Sequence, residues 1–200
     1  MNQTAKVLVF ALAGWSGFFV MAVELLSGRI LAPTFGNSIY VWGAVITVFM
    51  LALAVGYLLG GRFSVHSPSL RRLGALLIAA GLMTLPVVLF GNAALDAIFD
   101  RVGDPRYGSL IASGLLFFVP TAISGAVSPY AVRLVVSSLH ASGRSAGSLY
   151  FVSTFGSAAG TLITSFYLVL LFEVDTILLG LMAVSIALGL VAVLVRERAP

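Results

Sequence analysis

Long apolar stretches separated by short polar connections run through the whole chain. At a rise of about 1.5 Å per residue, a helix needs about 20 residues to cross a hydrocarbon core about 30 Å thick. Six stretches reach that length, each bounded by glycine, proline, asparagine, serine or a charged residue: 7–27, 40–61, 72–91, 108–134, 147–171 and 175–195. The pattern predicts a single polytopic domain, residues 1–200, with six membrane-spanning helices.

A shorter amphipathic segment, NAALDAIFDRVGD at 92–104, follows the third of these stretches. Its apolar side chains recur at helical spacing with aspartates between them: Leu95, Ile98, Phe99 and Val102. Such a segment buries one face in the boundary between lipid and water. We therefore expect a separate interfacial helix over 92–104.

Composition indicates lipid rather than water as the main solvent. Hydrophobic residues make up 60% of the 200 residues and charged residues only 9%, whereas about a quarter of an ordinary soluble domain is charged. A domain of this size cannot hide that much apolar surface in one core, so the surface must face lipid. The expected fold class is an all-α integral membrane protein, a bundle of six transmembrane helices.

Basic residues fall on one side of the predicted bundle. The connections and termini on that side carry Lys6, Arg62, Arg71, Arg72, Arg133, Arg144, Arg196 and Arg198. Because cytoplasmic loops are enriched in lysine and arginine, this side is predicted to face the cytoplasm, together with both termini. We expect a multi-pass protein of the cell membrane, in the bacterial inner membrane.

Enzyme chemistry is not indicated by any motif. The chain contains no cysteine and two histidines in separate loops. The patterns H-E-x-x-H, G-x-x-x-x-G-K-[ST] and G-x-G-x-x-G are absent. We therefore expect no catalytic residue, no cofactor and no metal site. The basic residues form no long run, which argues against nucleic acid as a partner.

One pair of ionisable residues lies in or beside an apolar stretch. Glu24 lies 18 residues after Lys6, about 27 Å along a helix, and Arg29 follows five residues later. Residues five apart are rotated by about 140°, so pairing requires a break in the helix, for which Gly28 and Pro33 are suited. Two interpretations stay open. One is an ion pair or hydrogen-bonded cap that fixes the first outer turn; the other is a polar cavity where Glu24 meets a cationic or proton-coupled solute.

Aromatic and proline residues supply further candidates for substrate binding. Tyr40 and Trp42 lie at the depth of an aromatic belt, where they either anchor the second helix or form an aromatic wall for a cation. Pro120 and Pro129 either kink the fourth helix or expose carbonyl groups to a cavity. Tyr130 follows at the cytoplasmic end of that helix.

Small and hydroxyl-bearing residues mark the fifth helix. Tyr150 and Ser153 begin a polar cluster whose hydroxyl groups either bond to carbonyls of the same helix or line a binding site. Glycines recur four residues apart in the second and the fifth stretch: Gly56 and Gly60, Gly156 and Gly160. This spacing is typical of close helix packing, or of a mobile or oligomeric contact.

Four motifs carry a resemblance to a known family: ELLSGRILAPTFGNSIYVWG at 24–43, GYLLGGR at 56–62, SGAVSPYAVRL at 124–134 and GRSAGSLYFVSTFGSAAGT at 143–161. They occur in this order and cover nearly the whole chain, and the first and last are the more specific. With these motifs the chain resembles the membrane portion of the spermidine-synthase-like membrane proteins, also described as fused major-facilitator and spermidine synthase proteins. The resemblance implies a half-major-facilitator-like bundle without that family's cytoplasmic aminopropyltransferase-like domain.

Together with the carboxylate of Glu24, the resemblance favours a membrane transport or binding module for a small cationic, polyamine-like metabolite. Its pocket would face outward and include Glu24, Arg29 and Tyr40. Since six spans are half of a twelve-span transporter, we expect a homodimer. The alternative is a non-catalytic anchor or scaffold for a separate spermidine-synthase-like enzyme in the cytoplasm. The candidate substrate-binding residues are Glu24, Arg29, Tyr40, Trp42, Pro120, Tyr130, Tyr150 and Ser153.

Overall fold

The computed structural model describes residues 3–65, 67–136 and 142–195. All regular structure in these ranges is helical, and they contain no strand. The helices in chain order are α1 (Gln3–Phe35), α2 (Ile39–Phe63), α3 (Leu70–Leu82), α4 (Leu85–Val102), α5 (Pro105–Val135), α6 (Ser142–Ile163), α7 (Val169–Leu171) and α8 (Val174–Leu194). A π-helical turn, Thr164–Leu168, joins α6 to α7.

Six helical segments of the described chain are long and apolar enough to cross a membrane. Four of them are the single helices α1, α2, α5 and α8. The third consists of α3 and α4, and the fifth of α6, the π-helical turn and α7. The predicted all-α fold with six spanning helices is therefore confirmed, and the chain is a multi-pass membrane protein. His66, Arg196 and Arg198 lie outside the described residues.

The first helix, α1, continues past the positions where the sequence predicts a break. Gly28 and Pro33 both lie inside the helix, and the chain turns only at Gly36, where φ is 81°. Glycine adopts that conformation without steric cost. The predicted break was wrong because unpaired backbone groups are costly in a membrane and because Leu31 and Phe35 pack into the core.

The amphipathic segment 92–104 is not a separate helix, which corrects the prediction. Almost all of it belongs to α4, which begins at Leu85 and ends before the left-handed Gly103, where φ is 64°. The interruption lies earlier, between α3 and α4, where the Thr84 hydroxyl donates a hydrogen bond to the Gly81 carbonyl at 2.7 Å. Because no proline interrupts α4 after its first turn, the helix runs on through the predicted boundary.

Glycines bring two pairs of helices into close contact. In α2, Gly56 and Gly60 lie against the backbone of α5. In α6, Gly156 and Gly160 lie against the backbone of α1. A β-carbon at any of these four positions would overlap a carbonyl oxygen of the facing helix. The predicted close packing at these glycines is confirmed, and it occurs within the chain.

Two core clusters divide the bundle into two halves. One joins the starts of α1, α3 and α6 to the ends of α5 and α8. The other joins the end of α1 to α4 and to the first halves of α2, α5 and α8. We call the first half the basic end, since its described charged residues are all cationic: Lys6, Arg62, Arg71, Arg72, Arg133 and Arg144. The opposite half is the acidic end, which carries Glu24, Arg29, Asp96, Asp100, Arg101, Asp104, Arg106, Glu173 and Asp175.

Candidate functional site

Glu24 is a half-buried carboxylate on a membrane-spanning helix. The nearby Ser27 hydroxyl donates its hydrogen bond to the backbone carbonyl of Glu24, at 2.6 Å, and not to the side chain. Among the described residues the Glu24 carboxylate has neither a hydrogen bond nor an ion pair. A charge at this depth is costly without a partner.

The predicted ion pair between Glu24 and Arg29 does not form. Because α1 is continuous, the two side chains leave the helix about 140° apart. Arg29 is exposed, and its Nη1 atom lies 3.5 Å from the backbone carbonyl of Val169, at the limit of a hydrogen bond. The interpretation of Glu24 as half of a local ion pair was therefore wrong.

The level of Glu24 in the bundle follows from the contact between α1 and α6. These helices run parallel, with Phe18 of α1 against Gly160 of α6. Six residues further along each helix, Glu24 comes level with the π-helical turn Thr164–Leu168, which contacts α1. The Thr164 hydroxyl is buried and has no hydrogen-bond partner among the described residues. Two polar groups without partners therefore lie in one layer of the bundle.

The sequence does not distinguish Thr164 from the other hydroxyl-bearing residues near it in the same helical segment. Ser157, Thr161 and Ser165 each donate to the carbonyl four residues earlier in the same helix. These three hydroxyl groups therefore bond to carbonyls of their own helix, which is one of the two alternatives predicted for the polar cluster. Ser153 supplies one of the accepting carbonyls, and its hydroxyl lies 3.5 Å from the hydroxyl of Ser128 in α5.

Tyr40 lies beside a cation that belongs to the protein itself. The Arg106 guanidinium carbon is 6.0 Å from the centre of the Tyr40 ring and 5.7 Å from that of Tyr107. Arg106 also forms an ion pair with Asp104 at 2.7 Å. Tyr40, Asp104 and Arg106 line an open cleft of about 710 Å³ at the acidic end. The Tyr40 ring is thus already partnered, which favours anchoring over a wall for a cationic ligand.

Asp104 is partly exposed to solvent and serves as the N-cap of α5. The hydrogen bond from the Arg106 side chain, followed by the bond from its backbone N–H, lowers the pKa of the Asp104 carboxyl below its ordinary value. The carboxylate is therefore ionised at neutral pH and committed to Arg106. It holds the turn between α4 and α5 in place.

Trp42 also has a structural partner. Its indole N–H donates a hydrogen bond to the Asn37 side-chain oxygen at 2.7 Å. The far edge of its ring lies against Gly28 of α1, where a β-carbon would overlap it. Trp42 therefore closes the connection between α1 and α2.

A second polar cavity, of about 200 Å³, lies beside Arg29 at the acidic end. Its polar lining comes from Arg29, Asn92, Glu173 and Asp175. Glu173 and Asp175 are both exposed at the start of α8. Two carboxylates and an amide oxygen, set beside one guanidinium, suit a small solute that carries positive charge. Glu24 is not among the residues that line this cavity.

The remaining predicted site residues lie far from the acidic end. Pro120 is buried within α5, Tyr130 is buried at the basic end and Tyr150 is exposed at the start of α6. The eight candidates therefore do not form one site: Glu24, Arg29, Tyr40 and Trp42 share the acidic end but lie in different surroundings. Within the described ranges there is no group of three histidine, cysteine or carboxylate residues that could hold a metal.

Comparisons with known proteins leave the resemblance untested. No family model matches the chain, and no curated protein or solved structure matches it. The relation to the spermidine-synthase-like membrane proteins therefore stays a prediction from the four sequence motifs. The structure itself identifies a multi-pass, all-helical membrane protein.

Proposed function

We propose that this protein is a membrane transport and binding module that takes up a small cationic metabolite at its acidic end. The single observation that carries the proposal is the half-buried Glu24 carboxylate, which has no partner among the described residues. A carboxylate retained on a spanning helix is costly, and a bound cation or proton removes that cost. No local ion pair accounts for its presence.

Thr164 adds a second polar group to the proposed site. Its buried hydroxyl lies at the level of Glu24, on a π-helical turn. Turns of this kind are frequent at functional sites because they displace side chains from the regular helical register. The hydroxyl oxygen can accept a hydrogen bond from an ammonium group that is paired with the carboxylate.

The distribution of charge favours entry of a cation from the acidic end. Six carboxylates and three guanidinium groups give this half a formal charge of −3, whereas the basic end carries +6 among the described residues. We propose that the basic end and both termini face the cytoplasm, in keeping with the preference of cytoplasmic loops for lysine and arginine. The acidic end then faces outward and attracts cations.

The resemblance supplies the expected substrate class, a polyamine-like molecule. The 200 Å³ cavity with Glu173 and Asp175 is a first contact for such a solute before it reaches Glu24. The half-major-facilitator-like size of the bundle leads us to propose a homodimer in the cell membrane, in the bacterial inner membrane.

Uptake into vesicles tests the proposal. Purified protein is reconstituted into liposomes, and the uptake of radiolabelled spermidine is compared with uptake into empty vesicles. Glu24→Gln should abolish uptake because it removes the charge with little change in shape. Asp96→Asn is the matched control, since Asp96 is exposed on α4 at the same end. Uptake equal to that of empty vesicles, or full uptake by the Glu24 variant, would reject the proposal.

A further inference from the structure

Two apolar cavities lie end to end along α1. The first, of about 370 Å³, is lined by Ile163, Leu168, Phe172 and residues in the first half of α8. The second, of about 490 Å³, is lined by residues from the first half of α1 together with Val152, Gly156 and Leu188. Both cavities include Trp15 and Phe18. We call the two together the α1 groove, which lies over α1 between α6 and α8.

The floor of the α1 groove is an aromatic pair with no free polar group. The Trp15 indole N–H donates a hydrogen bond to the Ser185 hydroxyl at 2.8 Å. The Trp15 and Phe18 rings stack with their centres 5.2 Å apart and an angle of 10° between their planes. Since the indole nitrogen is satisfied, this floor presents only apolar ring surface to whatever occupies the groove.

The dimensions of the groove suit a single hydrocarbon chain. The residues of α8 that border it extend from Thr176 to Leu188, twelve positions further along the helix, which is a length of about 18 Å. That is more than half of a hydrocarbon core about 30 Å thick. A helix with its side chains is about 10–12 Å wide, which is too wide for cavities of this volume. A lipid tail is narrow enough, and lipid is the solvent at this depth.

Two cations flank the basic end of the α1 groove. Gly14 of α1 lies against Val152 of α6 in a parallel helix pair. Lys6 precedes Gly14 by eight residues, and Arg144 precedes Val152 by eight residues. The two cations are therefore level with each other, and both are exposed. No described carboxylate lies at this end of the bundle to compete for them.

We propose that the α1 groove is a binding site for an anionic glycerophospholipid. One acyl chain lies along Trp15 and Phe18, and the phosphate lies between Lys6 and Arg144. The bound chain fills the space between α6 and α8. It thereby holds α6, which exposes Phe151 and Phe155, against the rest of the bundle. The site is separate from Glu24 and does not depend on transport.

Fluorescence of Trp15 gives a direct test. The chain has two tryptophans, so Trp42→Phe leaves Trp15 as the sole emitter. The protein is reconstituted into vesicles of unbrominated phosphatidylcholine. One series contains increasing fractions of brominated phosphatidylglycerol, and the other contains increasing fractions of brominated phosphatidylcholine. Brominated phosphatidylglycerol should reach half-maximal quenching at a lower fraction than brominated phosphatidylcholine. Equal quenching curves would overturn the proposal.

Variants at the basic end test the phosphate contact. A basic residue near an anionic lipid surface contributes about 1 kcal/mol, which is about a fivefold change in affinity. Lys6→Gln and Arg144→Gln should each reduce the preference for phosphatidylglycerol about fivefold. Arg106→Gln, at the acidic end, is the matched control and should leave the preference unchanged. An unchanged preference in both basic-end variants would refute the proposed contact.

A variant that fills the groove tests the site of the acyl chain. Gly180 lines the groove, and a β-carbon there meets no atom within 4 Å. Gly180→Phe should therefore remove the preferential quenching. Gly43→Phe is the control, since Gly43 of α2 is equally open and lies away from the groove. Preferential quenching that survives in a folded Gly180 variant would exclude this groove.

A second measurement tests the proposal on the wild-type protein, in case the Trp42 or Gly180 variants fail to fold. Native mass spectrometry of the wild-type protein, released from vesicles containing equal amounts of the two lipids, should show one retained phosphatidylglycerol per chain. The Lys6 and Arg144 variants should lose it. A wild-type protein that retains no lipid, or retains both lipids equally, would contradict the proposal whatever the outcome for Trp42 and Gly180.

Discussion

The backbone N–H of Ser69 donates a hydrogen bond to the phenolic oxygen of Tyr130 at 3.1 Å. Tyr130 is buried at the basic end of α5, and Ser69 immediately precedes α3. The Ser69 hydroxyl in turn accepts a hydrogen bond from the backbone N–H of Arg72, which makes Ser69 the N-cap of α3. The tyrosine therefore fixes the start of one spanning segment against the end of another.

Tyr130→Phe is expected to destabilise the protein without abolishing uptake. The substitution leaves the N–H of Ser69 without its acceptor, which costs about 1 kcal/mol. Thermal unfolding in detergent, followed by circular dichroism, measures the effect. Tyr150→Phe is the control, because Tyr150 is exposed and should show no change. Loss of spermidine uptake in a stable Tyr130 variant would instead support the substrate-binding role predicted from the sequence.

The neighbouring glycines Gly60 and Gly61 offer a matched pair for the contact between α2 and α5. A β-carbon at position 60 would overlap the carbonyl of Ala126, whereas one at position 61 meets nothing within 4 Å. Gly60→Ala should destabilise the bundle by about 1–3 kcal/mol through overpacking. Gly61→Ala should stabilise it by about 0.5–1 kcal/mol, since alanine is the better helix former. Denaturation of the two variants side by side checks the opposite signs; similar destabilisation of both would refute the contact.

Length and hydropathy were sufficient to predict the spanning helices, because a helix must satisfy its own backbone in lipid over a fixed thickness. The same physics explains the error at Gly28 and Pro33. Residues that end helices in water are tolerated in a spanning helix, and the apolar residues beyond them pack into the core. Pro33, Gly36 and Asn37 together predict a tight connection after the first helix, and within that stretch the chain turns at Gly36 and not at the proline.

The candidate site was less accessible to sequence reasoning, because its partners are distant in the chain. The bond between Ser69 and Tyr130 spans 61 residues, and the contact between Tyr40 and Arg106 joins two different helices. The spacing of residues along a single helix cannot predict either of these two contacts. The isolation of Glu24 could have been expected from its five-residue distance to Arg29, since that spacing separates side chains on a continuous helix.

Asp104 gives the protein a pH-dependent contact at the acidic end. Hydrogen bonding to Arg106 lowers its pKa below the ordinary value of 3.8. A lowered pKa in the folded state means that the contact stabilises the protein above the ordinary pKa and is lost as the pH falls through the lower, folded-state value. Asp104→Asn keeps an acceptor for the N-cap but removes the charge.

The difference in melting temperature between wild type and Asp104→Asn should therefore be present at pH 7 and shrink below about pH 4. Protonated aspartate and asparagine are both neutral, which removes the difference. Melting curves measured between pH 3 and pH 7 check the sign. Asp100→Asn, an exposed carboxylate on the same side, is the control. A difference that grows toward low pH would mean that the ion pair with Arg106 is not formed in the membrane.

The absence of cysteine from the chain makes single-cysteine labelling possible without a prior cysteine-free variant. Val65 and Gly143 are exposed at the basic end, after α2 and at the start of α6. Asp100 is exposed at the acidic end, on α4. One thiol at each of these positions reports which side of the membrane it occupies.

In intact cells, a membrane-impermeant maleimide should label Asp100→Cys and leave Val65→Cys and Gly143→Cys unmodified until the membrane is permeabilised. We expect this result because an excess of lysine and arginine, as at the basic end, favours the cytoplasmic side during insertion. Because both protected positions belong to one end of a single bundle, they must behave alike. Labelling of Val65→Cys without Gly143→Cys would contradict the helix directions. Labelling of both positions from outside would be consistent with the fold but would show the opposite orientation in the membrane. Glu24 would then open toward the cytoplasm.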